Sequence, residues 1–405
     1  MATLKLTELN KVFPSGERAL FDVSLEAVDK EFLVIVGGEN SGKSTLLRLI
    51  AGLDDVSRGK IFIDEKDVTE VPPKDRDIAM VFSSSTLYPA LNVYDNMAFG
   101  LRMRKAPEAL VHERVKVAAN ILGLNDALFR KPKALTAAAK QRAAIGRAIV
   151  REPKLYLLDE PLSGLDDKLK LDMLNVIVNI QARMQGTFVY ATKNLAEAMT
   201  IGTRIVVMKN GFVQQVDTPA NLYDYPANTY VAFFIGTPTI NFIKKVKIEA
   251  GEGGYDAVFD GGKITLPQNI VERFEAISEY AGTGKYVTLG IRPEDAKVSE
   301  SGILSGTVDS CEGGDEKYAE CTISAELSLN VSTDKFLDKG KKVQIEVDAS
   351  RLHIFDAKTC LTLLKRDAGY TVTGLPNADY VPLPFDEEQA IYENSKPKKA
   401  QKKKK

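Results

Sequence analysis

The chain has 405 residues, 44% of them apolar, and a formal net charge of −1. That length predicts two or three domains with a sizeable core, and the charge balance gives no sign of whole-molecule polyanion binding, so no specific nucleic-acid partner is expected. No apolar run approaches the ~20 residues needed to cross a bilayer, and the start, Met1 to Thr7, lacks the apolar core of a secretory signal.

From Leu4 to Thr237, β-branched runs alternate with helical patterns. Leu33–Val36, Ile78–Phe82, Leu155–Leu158, Phe188–Ala191 and Ile205–Met208 read as buried strands. Lys43–Ala51, Glu108–Leu122, Ala138–Val150 and Asp167–Met184 read as the helices between them. Buried strands alternating with helices predict an α/β domain, residues 1–237, with a largely parallel sheet. After Thr237-Pro238 the texture changes to short alternating segments separated by Gly-rich turns, such as Tyr255–Phe259, Tyr286–Leu289 and Val343–Val347. Residues 238–365 therefore read as a small β barrel or sandwich. Beyond about Lys365 periodicity fades, and 366–405, ending in a lysine run, read as a mostly disordered tail. Cys311, Cys321 and Cys360 have no CxxC spacing and read as reduced thiols.

Gly37-Gly38-Glu39-Asn40-Ser41-Gly42-Lys43-Ser44 matches G-x-x-x-x-G-K-[ST] between the strand ending at Val36 and the helix opening at Thr45. Backbone N–H groups at such a helix start wrap phosphates. Lys43 would reach the outer phosphates of ATP, and the Ser44 hydroxyl would take a place on Mg²⁺. Glu39 sets a carboxylate near a polyanion site, which is tolerable only if it points to solvent. Asn40 tolerates the left-handed backbone that such a loop requires. The apolar run Leu155–Leu158 ends in Asp159-Glu160. At the carboxyl edge of the sheet, Asp159 would hold Mg²⁺ through water and Glu160 would polarise an attacking water as general base.

These two motifs place the chain among P-loop ATPases, and the residues around them narrow the resemblance. Met80-Val-Phe82, Leu87-Tyr-Pro89 and Val93–Leu101 resemble the permease-docking segment of sugar ABC importers. Arg130–Leu135 and Gly146–Val150 resemble the flanks of that family's signature, and Pro161–Asp166 resembles its D-loop, with Asp166 at its end. Ala227–Gly236 looks like the end of its ATPase domain. Gly290–Asp295 and Leu352–Asp356 look like its C-terminal regulatory barrel, which gives His353 a structural role. The likeness spans residues 1–365 and is nearest to the maltose, multiple-sugar and glycerol-phosphate importers. It implies an ABC ATPase domain followed by a β-barrel, oligosaccharide-binding-like regulatory domain. It also implies ATP and Mg²⁺ as ligands, and integral-membrane permease subunits as partners at the inner face of the plasma membrane. A second ATPase subunit or a second copy of this chain, and indirectly a solute-binding protein, complete the implied assembly. Phe13 stands where the family stacks an aromatic on adenine, although a lone Phe also reads as core.

Three positions depart from the family. Ser83 replaces the Q-loop glutamine, and a short hydroxyl cannot span the distance that a long amide does. Lys193, in Thr192-Lys193-Asn194, replaces the switch histidine; it offers a point charge but no hydrogen-bond acceptor. Leu135-Thr136-Ala137-Ala138-Ala139 replaces the glycine-rich signature that clamps the γ-phosphate held by the opposite subunit. The alanines favour helix, which is expected to extend backward and consume donors. Asn194 and Glu197 read as a capping pair that preserves the backbone after Lys193. A homodimer would thus lack three elements at both composite sites. Beside an intact partner, this chain's own loop would face a complete signature and retain the residual turnover. Three readings follow: an impaired subunit paired with an intact ATPase, a regulatory ATP-binding pseudo-ATPase acting through its C-terminal domain, or an ordinary homodimeric importer ATPase.

Overall fold

The computed structural model describes residues 3–364 apart from 85, 252, 253 and 315, so the expected lysine-rich tail lies outside the described residues. The chain divides into two compact units at Pro219/Ala220.

The first unit begins with β1 (Leu4–Val12), β2 (Arg18–Ala27) and β3 (Phe32–Val36), followed by helix α1 (Lys43–Ala51). Next come β4 (Arg58–Ile63), β5 (Lys66–Asp67) and β6 (Ile78–Val81). Helices α2 (Val93–Met103), α3 (Glu108–Leu122) and α4 (Ala137–Ile149) precede β7 (Leu155–Asp159). The unit continues with α5 (Asp167–Met184), β8 (Thr187–Thr192), α6 (Leu195–Ile201), β9 (Arg204–Lys209) and β10 (Phe212–Asp217). Two sheets result. A six-stranded sheet has the order β10-β9-β3-β8-β7-β6, and a four-stranded sheet the order β2-β1-β4-β5. All pairs in the larger sheet are parallel except the β9–β10 hairpin.

Strands β3 and β8 are buried along their whole length, as expected of parallel strands covered on both faces. Their register aligns Val36 with Thr192, while Asp159 aligns with Ala191 and Val81 with Leu158. The loops leaving β3, β8, β7 and β6 therefore emerge side by side at one carboxyl edge, where ligands of open α/β sheets bind. The α/β core expected from the sequence is present. The antiparallel sheet of β1, β2, β4 and β5 had no counterpart in that expectation.

The second unit contains α7 (Pro219–Asp224), α8 (Thr229–Phe234), β11 (Asn241–Gly251), β12 (Gly254–Phe259), β13 (Gly262–Leu266), α9 (Gln268–Arg273) and β14 (Val287–Ile291). It ends with β15 (Ala296–Ser299), β16 (Leu304–Gly313), β17 (Lys317–Ser324), β18 (Leu327–Thr333), β19 (Lys342–Val347) and β20 (His353–Asp356). Strands β15-β18-β17-β16-β19 close a barrel beside a sheet of order β13-β12-β11-β14-β20. A large apolar cluster, including Ile243, Phe274, Leu289, Leu329 and Ile345, fills most of this unit, and Ala232, Ile240 and Phe355 form a second, small one. The three cysteines are unpaired, and burial pushes the Cys321 thiol up to about 11.

The division falls earlier than the Thr237 boundary read from the sequence, and Arg292 gives the reason. Its buried guanidinium donates from Nη1 to the Ala232 carbonyl at 3.0 Å and from Nη2 to the Tyr223 carbonyl at 2.8 Å. These bonds fasten α7 and α8 to the barrel-bearing unit, although their sequence looks like the end of the α/β domain.

Candidate nucleotide site

The loop from Gly37 to Gly42 turns tightly out of β3. Gly42, at φ 98°, is the N-cap of α1, and Asn40 adopts φ 60°, the left-handed backbone expected of it. At Gly37 a Cβ would stand 2.2 Å from the Met208 carbonyl oxygen, so the close approach of β9 admits no side chain. No side chain caps α1, and the N–H groups from Gly38 to Thr45 meet no acceptor among the described residues. Those free donors at a helix start form an anion cradle. Lys43 is buried and curls over the loop, donating from Nζ to the carbonyls of Gly37 at 2.9 Å and Gly38 at 2.8 Å, and to Ser41 Oγ at 3.1 Å. Burial lowers its pKa, and the carboxylates of Glu160 and Asp159 oppose that shift.

Asp159 ends β7 and Ser44 opens α1; the Ser44 hydroxyl donates to Asp159 Oδ1 at 2.9 Å. Burial raises the Asp159 pKa, against the pull of that hydrogen bond. A hydroxyl and a carboxylate converging beside a phosphate cradle form an oxygen donor set that fits Mg²⁺. Glu160 follows at φ 44°, its N–H donating to the Ala191 carbonyl at 2.8 Å.

Lys193 leaves β8 next to this loop. Its Nζ lies 3.6 Å from Glu39 Oε1, and the two side chains are 58% and 82% exposed. Glu39 therefore points to solvent, so its carboxylate does not fill the loop, although its charge still lies near it. Sequence reading treated these two residues separately. Their opposite charges, on loops after neighbouring strands, were the available signal. The turn carrying Lys193 is fixed from beneath. Asn194 Oδ1 caps α6 by accepting from the Glu197 N–H at 3.2 Å, as expected of a capping pair. The reciprocal arm differs: the Asn194 N–H goes to Thr192 Oγ1 at 3.0 Å. The buried Glu197 carboxylate instead accepts from Tyr190 Oη at 2.9 Å and Thr192 Oγ1 at 2.7 Å. Burial and the adjacent Glu197 push the Tyr190 pKa well up. Sequence reasoning did not find this network.

Ser83 lies exposed just beyond the end of β6, on the same sheet edge. The signature position begins α4 directly at Ala137. Thr136 is its N-cap, accepting from the Ala139 N–H at 3.2 Å. The expected backward extension therefore stops at Thr136, because its hydroxyl caps the helix. The N–H groups of Ala137 and Ala138 remain without an acceptor among the described residues. Asp166 caps α5, accepting from Leu169 N–H at 3.0 Å. Phe13 sits half-buried in the turn between β1 and β2, with the Lys11 ammonium 5.4 Å over its ring.

The segment around Tyr88 is held by Asn96, whose fully buried amide accepts from Tyr88 N–H at 2.7 Å and donates to the carbonyls of Tyr88, Leu91 and Asn92. It presents Tyr88 tilted at 43° against Phe99, ring centroids 4.6 Å apart, with the Arg147 guanidinium 5.5 Å over the Tyr88 ring. Both aromatics, like Met103 and Phe129, are exposed. Among the described residues, no helix is long and apolar enough to cross a membrane.

The family profile described as ABC transporter matches residues 20–163. The chain is 40% identical, over 89% of its length and 99% of the relative's, to the oligosaccharides import ATP-binding protein MsmX of Bacillus subtilis (strain 168). The chain belongs to the ATP-binding proteins of ABC transporters. A second member of this ABC family, the trehalose/maltose import ATP-binding protein MalK of Thermococcus litoralis, is also 40% identical, over 89% of this chain and 99% of that protein. Among solved structures, cbiO1 of Clostridium perfringens, part of the ABC transporter complex cbiONQ, aligns with a TM-score of 0.51. It is 29% identical and covers 54% of this chain and 89% of its own. Membership in the ABC family implies ATP binding, typically with Mg²⁺.

Proposed function

We propose that this chain is the ATP-binding subunit of a carbohydrate ABC importer, that it binds Mg-ATP between β3 and β7, and that it hydrolyses ATP slowly unless paired with an intact ATPase subunit. The observation that carries this reading is the content of one sheet edge. It combines a complete binding set, the free N–H groups of Gly38–Thr45, Lys43, Ser44 and Asp159, with Ser83 and Lys193 at two of the positions that assist hydrolysis. The relatives named for oligosaccharide and trehalose/maltose import support carbohydrate as the solute class. The exposed Tyr88–Phe99 face is the surface this reading assigns to an integral-membrane permease, with the chain on the cytoplasmic side of the plasma membrane.

Lys43 would exchange its carbonyl partners for phosphate oxygens, and the cradle N–H groups would take the remaining charge. Ser44 and, through water, Asp159 would hold Mg²⁺, which would supply charge neutralisation on the phosphates. Glu160 is placed to orient a water as general base. Phe13 would stack on the adenine ring. Lys193 brings charge to the γ-phosphate but accepts no hydrogen bond. Thr136–Ala139, facing the opposite subunit's nucleotide, keep two free N–H groups and a capped hydroxyl, and Asp166 belongs to the adjoining D-loop. Losing one preorganised transition-state donor lowers rate by ~10²–10³-fold.

Mg-ATP binding and steady-state hydrolysis by the purified chain test the proposal. Tight binding with negligible turnover is expected, with turnover rising when an intact homologue is added and falling again in Glu160→Gln. Ordinary turnover by the chain alone, abolished by Lys43→Ala, would instead make it a self-sufficient homodimeric ATPase.

A further inference from the structure

We propose that the second unit carries a binding site for a small oxyanion, a free phosphate or the phosphoryl head of a small molecule, in the cavity formed by Arg273, Arg351 and His353. The site shares no residue with the nucleotide cradle and does not rest on the proposed transport role.

The cavity measures about 160 Å³ and is also lined by Tyr223, Tyr225 and Arg292. It exceeds several times the ~30 Å³ share of one water and falls below the ~300 Å³ of a drug-sized site. Three guanidinium groups and two carboxylates, Asp224 and Asp295, line it, and the Glu294 and Asp348 carboxylates act on the same cluster from just outside. Arg292, 1% exposed, spends its Nη groups on backbone carbonyls and lies 3.9 Å over the Tyr223 ring, so it is a structural cation beneath the floor. Arg273 donates from Nη2 to the Asp224 carbonyl at 2.6 Å and stacks 4.8 Å over Tyr225. The Nε atoms of both Arg273 and Arg292 are buried without a partner. Arg351 places Nε 3.3 Å from Asp295 Oδ1 and is 52% exposed, which leaves its fork at the cavity mouth. Asp295 Oδ2 is buried without a partner, and burial pushes this carboxyl up to about 6.

His353 lies on the cavity wall. Burial, and then Arg292, Arg273 and Arg351, hold its pKa well below the usual value, so the imidazole is neutral at pH 7. A buried polar cluster with unspent cationic donors is costly unless an acceptor completes it. Oxyanions match guanidinium forks in geometry and charge. Such an anion would accept from the unspent guanidinium donors, and its charge beside the imidazole would permit His353 to protonate.

The chain has only two histidines, so proton NMR can follow His353 with His112 as internal reference. The experiment uses the full chain carrying Lys43→Ala, which removes the nucleotide loop as a competing phosphate site. Inorganic phosphate, methyl phosphate and chloride are titrated at constant ionic strength. The expected result is a saturable shift of the His353 resonance with phosphate, absent with chloride, and an upward move of its pKa by at least one unit. Saturation by methyl phosphate as well would assign the site to a phosphoryl head; saturation by phosphate alone would assign it to the free ion. Arg351→Gln should weaken binding at least ten-fold, and Arg351→Lys, which keeps the charge and loses the fork, by less. No shift, a linear response shared by His112, or unchanged affinity in Arg351→Gln would overturn the proposal.

Discussion

Replacing Tyr190 by Phe removes one oxygen from the interior and leaves the ring in place. In the native protein that oxygen donates to Glu197 Oε2 at 2.9 Å, and the Thr192 hydroxyl donates to the same atom at 2.7 Å. Tyr190 is fully buried and Glu197 nearly so, so water cannot replace the lost donor. A hydrogen bond to a charged group contributes about 1.5–3 kcal/mol net, and Glu197 Oε2 keeps the Thr192 hydroxyl as a donor, so the loss is that of one such bond. Because Phe fills the same space, no cavity term is added, and the expected loss is about 1.5–3 kcal/mol. Glu197→Gln should cost less, since its amide oxygen still accepts and a buried charge is removed. In that background Tyr190→Phe should lose at least 1 kcal/mol of its effect, because the residues share one network. The two units need not unfold together, so a global unfolding curve is a poor readout. Native-state hydrogen exchange of β8 peptides reports the local stability directly. The turn bearing Lys193 rests on Thr192 and Asn194, so its amides should lose protection together with β8. A loss under 0.5 kcal/mol, or equal losses in both backgrounds, would refute the claim that Glu197 organises this turn.

Three further outcomes are expected. Glu39→Gln removes an exposed carboxylate from the phosphate loop and frees Lys193; at ~1 kcal/mol for charges about 4 Å apart in water, Mg-ATP should bind about five-fold tighter in low salt, with the gain fading in 0.5 M salt as screening rises. Gly37→Ala forces a methyl group against the Met208 carbonyl at 2.2 Å, so it should cost about 1–3 kcal/mol or more and abolish nucleotide binding by fluorescence titration. His353 has a folded pKa below its unfolded ~6.5, so the unfolded chain binds more protons and stability falls as pH drops below about 6.5, by up to ~1.4 kcal/mol per pH unit. Asp295, raised to about 6, works oppositely, its contribution being full below the unfolded value and lost as pH rises through about 6. Exchange protection of β20 should therefore decline as pH falls from 7 to about 6, where His353 dominates, and level off toward pH 5, where Asp295 offsets it; His353→Gln should turn the decline into a gain on acidification.

The binding half of the site was legible because its chemistry is local. A cradle needs consecutive backbone donors between a strand and a helix, and Gly37–Ser44 carries that requirement in eight adjacent residues. Asp159 and Glu160 were legible for a related reason, because an apolar run that ends in two acids marks the carboxyl end of a buried strand. Parallel strands and their helices were visible through periodicity, which each segment expresses by itself. What one segment cannot express is its neighbour. The order β3-β8-β7-β6 brings Lys193 beside Glu39 and Ser44 beside Asp159, pairs separated by more than a hundred residues. The Glu197 network, the hold of Arg292 on α7 and α8, and the arginine-lined cavity around His353 are also long-range. In the sequence Arg292 and His353 stand in short separate motifs, sixty-one positions apart, that name none of the groups they meet. The tertiary fold turned them into a staple and a cavity wall, because only packing decides which buried polar groups find partners and which are left waiting for one.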